Sequence, residues 1–250
     1  MMLDPNREKY ERDDVVAHYA AQSKLQEPEA FLFDRHLTQG MAILDMGVGG
    51  GRTTPCLSKV AGTYVGADYA QGMVDACKAR FPGLSFVQCD AADMSQFADA
   101  SFDAVVFSFN GIDVLPGDAA RHACLSETAR VLKPGGIFIL SSHNARMVLN
   151  WPDSRGAGLV RALWRTARAA GMMTGTLRRR LISGAFRRGH GYETDPLHGG
   201  MTHYISTAQV IEAQLRDAGF ELIEDRPCKV TLARAAIFSP WIYYAARRRG

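Results

Sequence analysis

The chain has 250 residues, 47% of them hydrophobic and 22% charged, which bounds one globular domain able to bury a substantial core. The formal net charge of +3 points to no class of partner as a total. Five scattered cysteines (Cys56, Cys77, Cys89, Cys124, Cys228) form no C-x-x-C pair, which excludes a zinc ribbon or disulfide framework and suits a reducing compartment. The N-terminal charges Asp4, Arg7, Glu8 and Lys9 are unlike a signal peptide. The longest apolar run, near the C-terminus, is broken by Arg234 and Pro240 before it is long enough to span a bilayer. A cytoplasmic location is expected.

Tyr10 to Gln39 reads as two helices separated by Glu27-Pro28. Val15, Val16, Tyr19 and Ala20 give one face at helical spacing, and Phe31, Leu32, Arg35 and His36 another. Ala42-Ile43-Leu44 is a short buried strand. A glycine-rich turn then feeds a helix from about Thr53, with Pro55 tolerated in its first turn. Such a turn presents bare N–H groups and a positive helix end to a polar or anionic ligand. The dinucleotide fingerprint G-x-G-x-x-G fails here, because its third glycine would fall at Arg52. No Walker loop is present. The pattern that fits is an acid followed by G-x-G-x-G: Asp45, Gly47, Gly49 and Gly51.

Strand two, Thr63 to Asp68, ends on an acid. A carboxylate there suits the vicinal hydroxyls of a ribose, and equally suits capping of the helix that begins near Ala70. Strand three, Leu84 to Cys89, ends at Asp90-Ala91. Strand four, Phe102 to Asn110, lacks a following Pro-Pro-aromatic. A helix over Asp118 to Leu132 is stopped by Lys133-Pro134-Gly135-Gly136, and strand five, Ile137 to Leu140, follows. His143 lies at its carboxyl end. Helix Thr207 to Ala218, strand six (Phe220 to Ile223) and a final strand (Trp241 to Ala246) complete the alternation. The short connection between those last two strands predicts an antiparallel hairpin at the sheet edge.

Residues 144–205 interrupt the pattern. They hold ten arginines, no lysine and the acids Asp153, Glu193 and Asp195, a local charge of +7. Leu159, Val160, Leu163, Trp164 and Ala167 read as an amphipathic helix with arginines opposite. A looser piece carries Arg178, Arg179, Arg180, Arg187 and Arg188, and a glycine-rich loop follows.

Asp45 with the three glycines, Asp68, Asp90 and the run Ala129 to Gly136 fall in order at strand ends. Together they closely resemble the class I methyltransferases that use S-adenosylmethionine. The resemblance is strong over about Ala42 to Ser142 and holds in outline over Thr207 to Arg247. It implies a Rossmann-like, doubly wound α/β fold whose seven-stranded sheet is mostly parallel with an antiparallel edge strand. It also implies one domain over residues 1–250, with an N-terminal helical cover (1–40) and a helical lid insertion (144–205). S-adenosyl-L-methionine is the cofactor it implies, at Tyr19, Asp45, Gly47, Gly49, Gly51, Arg52, Asp68, Tyr69, Met73, Asp90, Ala91, Ser108 and Asn110. Tyr19 and Met73 are alternatively core residues.

Methyl transfer to an alcohol needs a base, and His143 is the candidate; its alternative is packing against a helix end. His203 and Tyr204, re-entering after the insertion, are candidate acceptor contacts, with His190 and His198 weaker. His18, His36 and His122 read as structural, and no His/Asp/Glu spacing suggests a metal. Arg179 and Arg180 are candidate ligands of an acidic acceptor, or part of a solvated face. The expected activity is methylation of an oxygen, less so a nitrogen, on a small molecule such as an acidic sugar or secondary metabolite. An RNA methyltransferase using the basic insertion and a non-catalytic cofactor-binding protein are the alternatives. Nucleic acid is disfavoured because stacking aromatics are few.

Overall fold

The computed structural model describes residues 6–147, 158–182, 184–195, 200–228 and 239–250. Its strands are β1 (Met41–Met46), β2 (Ala61–Asp68), β3 (Ser85–Gln88), β4 (Phe102–Phe107), β5 (Leu132–Asn144), β6 (His190–Asp195), β7 (Met201–Ser206), β8 (Phe220–Pro227) and β9 (Trp241–Arg248). The main sheet runs β3-β2-β1-β4-β5-β9-β8, with β9 antiparallel to both neighbours. Its central strands alternate between two covered faces. Leu44, Met46, Val105, Phe107, Phe138 and Leu140 enter one core, and Ile43, Ala104, Val106, Ile137 and Ile139 the other. Strands buried on both faces need no polar side, which is why β4 and β5 read as nearly continuous apolar runs.

The helices are α1 (Arg7–Tyr10), α2 (Asp13–Ala20), α3 (Glu27–His36), α4 (Thr54–Val60), α5 (Gln71–Arg80), α6 (Gly117–Val131), α7 (Leu159–Ile182), α8 (Ala185–Arg188) and α9 (Ala208–Asp217). Glu27-Pro28 does not separate helices. It opens α3, where proline's missing N–H costs nothing and Gln26 with Glu29 forms a reciprocal cap. Lys133 to Gly136 ends α6 as expected but is drawn into β5 as an irregularity. Leu132 pairs with Phe102, Ile137 pairs with Ala104, and Gly135 takes φ +78° between them.

The insertion is not wholly helical. It holds one continuous helix, α7, and the short α8, followed by the antiparallel hairpin β6–β7. These two strands bring the sheet to nine. β7 pairs with β5 at His143 and Asn144, beyond the point where β4 stops pairing at Leu140. Because β9 occupies the other edge of β5 as far as His143, the hairpin takes up the edge that β4 vacates. It therefore extends the sheet over the carboxyl ends of the strands. Asp153 and His198 lie outside the described residues.

Candidate functional site

The glycine turn is shaped by contacts that exclude larger residues. Gly47, Gly49 and Gly51 have φ of +64°, +53° and +80°, the left-handed region that costs glycine nothing. Gly50 has ordinary φ but abuts the end of α2, where an added Cβ would lie 2.3 Å from the Ala20 nitrogen. Arg80 locks this junction by donating to the Ala20 and Gly50 carbonyls, each at 2.8 Å.

Two buried acids hold the turn from either end. Asp45 accepts from Thr53 Oγ1 at 2.6 Å and Tyr64 Oη at 2.8 Å. Asp68 accepts from the Gly49 N–H at 2.9 Å and the Ala70 N–H at 3.0 Å. The second bond gives Asp68 its turn role before α5, and the first points its carboxylate at the glycine turn. Burial raises both carboxyls to about 6. The hydroxyl donors at Asp45, and the Ala70 and Gly49 N–H groups at Asp68, oppose that shift.

Around this turn lies a cavity of about 610 Å³. Of the expected cofactor residues, Tyr19, Asp45, Gly47, Gly49, Arg52, Asp68, Tyr69, Met73, Asp90, Ala91 and Ser108 line it. Gly51 does not. Its ideal Cβ would meet Phe81, just past the end of α5, so it shapes the turn from behind. Tyr10 joins the lining, with its ring 5.9 Å from Tyr19 and 5.8 Å from Tyr69. Glu11 fastens this cover to the sheet layer by accepting from the Gln71 and Gly72 N–H groups at the start of α5.

Arg52 is more committed than the resemblance implies. Fully buried Glu29 accepts from both of its terminal nitrogens, Nη1 to Oε2 at 2.5 Å and Nη2 to Oε1 at 2.7 Å, and also accepts from Ser108 Oγ. Phe109 lies beneath the guanidinium at 4.9 Å. Glu29 therefore ties α3, the turn and the end of β4 together. Sequence reading, which placed Glu27-Pro28 between helices, gave Glu29 no role.

Asn110 does not line the cavity. Phe109 and Gly111 do, and Asn110 between them turns the other way. Its N–H donates to Ser141 Oγ at 2.7 Å, and its Nδ2 lies 3.4 Å from His143 Nε2. His143 likewise stands outside the cavity lining, across the 109–111 turn. Its partner is Asp113, which sequence reading missed. Asp113 Oδ2 accepts from the His143 N–H at 2.6 Å and pairs with Nδ1 at 2.8 Å. Asp113 Oδ1 accepts from Arg121 Nη1 at 3.0 Å and Ser142 Oγ at 2.8 Å. A carboxylate only accepts, so Nδ1 carries the proton and Nε2 presents its lone pair. The signal for Asp113 was one acid in the otherwise uncharged stretch 109–117.

His203 joins this group, its ring 4.5 Å from that of His143. Tyr204 does not. Strand alternation turns it to the opposite face, where it is 1% exposed, receives Gln214 Nε2 and lies 4.0 Å under the Arg121 guanidinium. Arg180 is likewise corrected. It is 5% exposed and spent on Glu193 Oε1 at 3.2 Å and on the Ala145 and Met147 carbonyls. Arg179 is exposed and donates to Thr176 Oγ1 on its own helix.

A glycine turn after β1, Asp68 at the end of β2 and Asp90 after β3 face one cavity at the carboxyl ends of parallel strands, the place where doubly wound sheets bind their ligands. Residues 44–140 match a family model described as a methyltransferase domain. A demethylmenaquinone methyltransferase of Beutenbergia cavernae is 39% identical over 102 residues, 41% of this chain and 40% of that protein. A fatty-acid O-methyltransferase of Mycolicibacterium smegmatis is 34% identical over 112 residues, 43% of this chain and 39% of that protein. The match thus spans about two fifths of these relatives' length. The crystal structure of an S-adenosylmethionine-dependent methyltransferase from Methanosarcina mazei shares the fold, with TM-score 0.62 at 22% identity over 87% of this chain and 97% of that one. Residues 44–140 thus match a methyltransferase domain, on a fold shared with an S-adenosylmethionine-dependent methyltransferase.

The lining suits that cofactor. Asp68 brings a buried carboxylate to the cavity. Met73 and Ala91 bring apolar surface beside the polar edge of Asp90. The turn's backbone approaches without an intervening Cβ.

Proposed function

We propose that this protein transfers the methyl group of S-adenosylmethionine to an oxygen of a small molecule. The observation that carries the reading is the cavity itself, in which the glycine turn, Asp68 and Asp90 converge within the family-matched stretch. The curated relatives named above support a small acceptor through their names, a demethylmenaquinone and a fatty acid.

When bound, the cofactor supplies a methyl group on a sulfonium that departs as a neutral thioether. The protein's own work is alignment and exclusion of water. Asp68 and the turn fix the nucleoside end. Tyr10 and Tyr19 cover the cavity. His143 accepts the acceptor's proton at Nε2, while Asp113 fixes the tautomer and balances the charge that forms. His203 and Asn110 line the approach to that nitrogen. Arg180, committed to its internal partners, is no acceptor ligand, and the idea of an acidic acceptor loses that support.

The test measures S-adenosylhomocysteine release over a panel of phenols, carboxylic acids, sugars and amines. His143→Ala should lower turnover by about 10²–10⁴-fold, with cofactor affinity unchanged by calorimetry. Unaltered turnover would remove the base. Cofactor binding with no turnover on any acceptor would favour a binding protein instead.

A further inference from the structure

Helix α7 turns an apolar stripe outward. Its 24 residues, Leu159–Ile182, span roughly 36 Å. They contain six arginines and no lysine, aspartate or glutamate. At 100° per residue, Leu159, Val160, Leu163 and Trp164 share one side with Leu181 and Ile182 near the other end. Sequence reading would bury this stripe. Instead Leu159 is 80% exposed, Val160 79%, Trp164 63% and Ile182 74%. The side that packs is a different one, carrying Thr166, Met173, Thr176 and buried Arg180. Phe186 on α8 adds to the exposed apolar surface.

We propose that α7 is an interfacial helix that seats this protein on an anionic lipid bilayer. The inference stands apart from the methyl-transfer reading. The occupant follows from the two chemistries combined on the exposed surface. Apolar side chains reach outward, and Arg161, Arg178 and Arg179 are exposed with them. A bilayer interface takes both at once, accepting the apolar stripe among acyl chains and the guanidinium groups among lipid phosphates. Trp164 suits the headgroup boundary. No described helix is long and apolar enough to cross a membrane, so the helix lies in the surface.

Other occupants fit less well. A second copy packed stripe to stripe would set arginines against arginines, with no acid on the helix to relieve them. RNA would use the arginines but leave the stripe in water.

The placement of the helix gives the contact a use. Arg180 ties the last turn of α7 to the Ala145 and Met147 carbonyls, just beyond His143. A bilayer bound along α7 therefore lies beside the acceptor side of the site and away from the glycine turn.

The experiment is vesicle flotation of the full chain. It compares phosphatidylcholine alone with phosphatidylcholine containing about one third phosphatidylglycerol. Flotation should require the anionic lipid and should weaken as salt shortens the Debye length to about 3 Å at 1 M. The double variant Leu163→Gln, Trp164→Gln should lose on the order of tenfold or more in partitioning. Arg178→Gln with Arg179→Gln should weaken binding and flatten its salt dependence. These positions are exposed, and unchanged S-adenosylmethionine affinity by calorimetry would show that the variants are folded. Failure of flotation with cofactor binding intact would overturn the membrane proposal and leave the methyltransferase reading standing. Binding untouched by the stripe variant would also overturn it. So would a dimer that the stripe variant disperses, or RNA binding that survives the stripe variant but not the arginine variant.

Discussion

The glycine turn and the insertion sit at the same end of the sheet and are built on opposite principles. In the turn, three glycines take positive φ and a fourth lies against the backbone of α2. Nearly every position is fixed by main-chain geometry, and main-chain geometry restricts residue type. In the insertion, adjacent residues of one type have unrelated fates: Arg180 is buried in an ion pair and Arg179 is exposed. The difference teaches that a cofactor end written in backbone is read from residue identity. A region written in side-chain partnerships is read only from the folded chain.

The sharpest way to break the comparison is at Asp113. If it is the charge on which the acceptor side is assembled, Asp113→Ala leaves Arg121 buried and uncompensated. A loss of about 3–5 kcal/mol is expected in urea unfolding. A loss below about 1 kcal/mol, the size of one neutral hydrogen bond, would show that Ser142, His143 and Arg121 hold themselves. Asp113→Asn keeps the shape and should restore most of the stability while turnover stays low, because the amide can present a donor to Nδ1 and favour the wrong tautomer.

On the cofactor side, Asp68→Ala should weaken S-adenosylmethionine binding by about 1.5–3 kcal/mol, read by calorimetry. Asp68 also predicts a pH dependence. Its carboxyl is raised by burial to about 6, and a ribose diol donates to the charged form. Affinity should therefore be level above about pH 6 and fall with decreasing pH below it. For the free protein the sign is reversed. A raised carboxyl binds its proton more tightly when folded, so the Asp45 and Asp68 contributions make stability decline as pH rises from about 4 to about 6. Stability that climbs through that window in proportion to these residues, judged against the Asp68→Asn variant, would contradict their burial.

Gly50→Ala probes the turn where its logic is contact and not φ. The new Cβ would lie 2.3–2.4 Å from the Ala20 and Tyr19 backbone atoms. About 1–3 kcal/mol of overpacking is expected, with faster proteolysis of the 21–26 connection as α2 lifts. Unchanged cofactor affinity and proteolysis would mean that the cover does not rest on the turn.

Legibility followed the same division. Asp45, Gly47, Gly49 and Gly51 were readable because few residues serve an acid-and-glycine turn, and β4 and β5 because doubly buried strands are continuously apolar. Asp113 was not readable, since its meaning depends on Arg121, Ser142 and His143 arriving from three other places in the chain. Tyr204 and His203 are neighbours, yet only strand register decides which one faces the dyad. The hairpin β6–β7 was hidden because its glycine-rich surroundings resemble a loop until β5 offers an edge. The exposure of the α7 stripe was not readable for a plainer reason. Amphipathicity gives the direction of an apolar face but not what lies opposite it.

The smallest effect makes the finest test, at two consecutive arginines. Arg180 donates to Glu193 and to two carbonyls at the foot of the insertion. Its replacement by Gln strands Glu193 and should destabilise the fold by about 3–5 kcal/mol. Among the described residues Arg179 donates to Thr176 on its own helix, at 3.1 Å, and it is exposed. Its replacement by Gln should stay within about 0.5 kcal/mol of the parent. Thermal unfolding of the two variants, measured side by side without vesicles, separates them. Equal, small effects would place Arg180 outside the core of the insertion and return it to the surface charge. Equal, large effects would mean that Arg179 has an inward partner, and the stripe beside it would then be covered by protein and not by lipid.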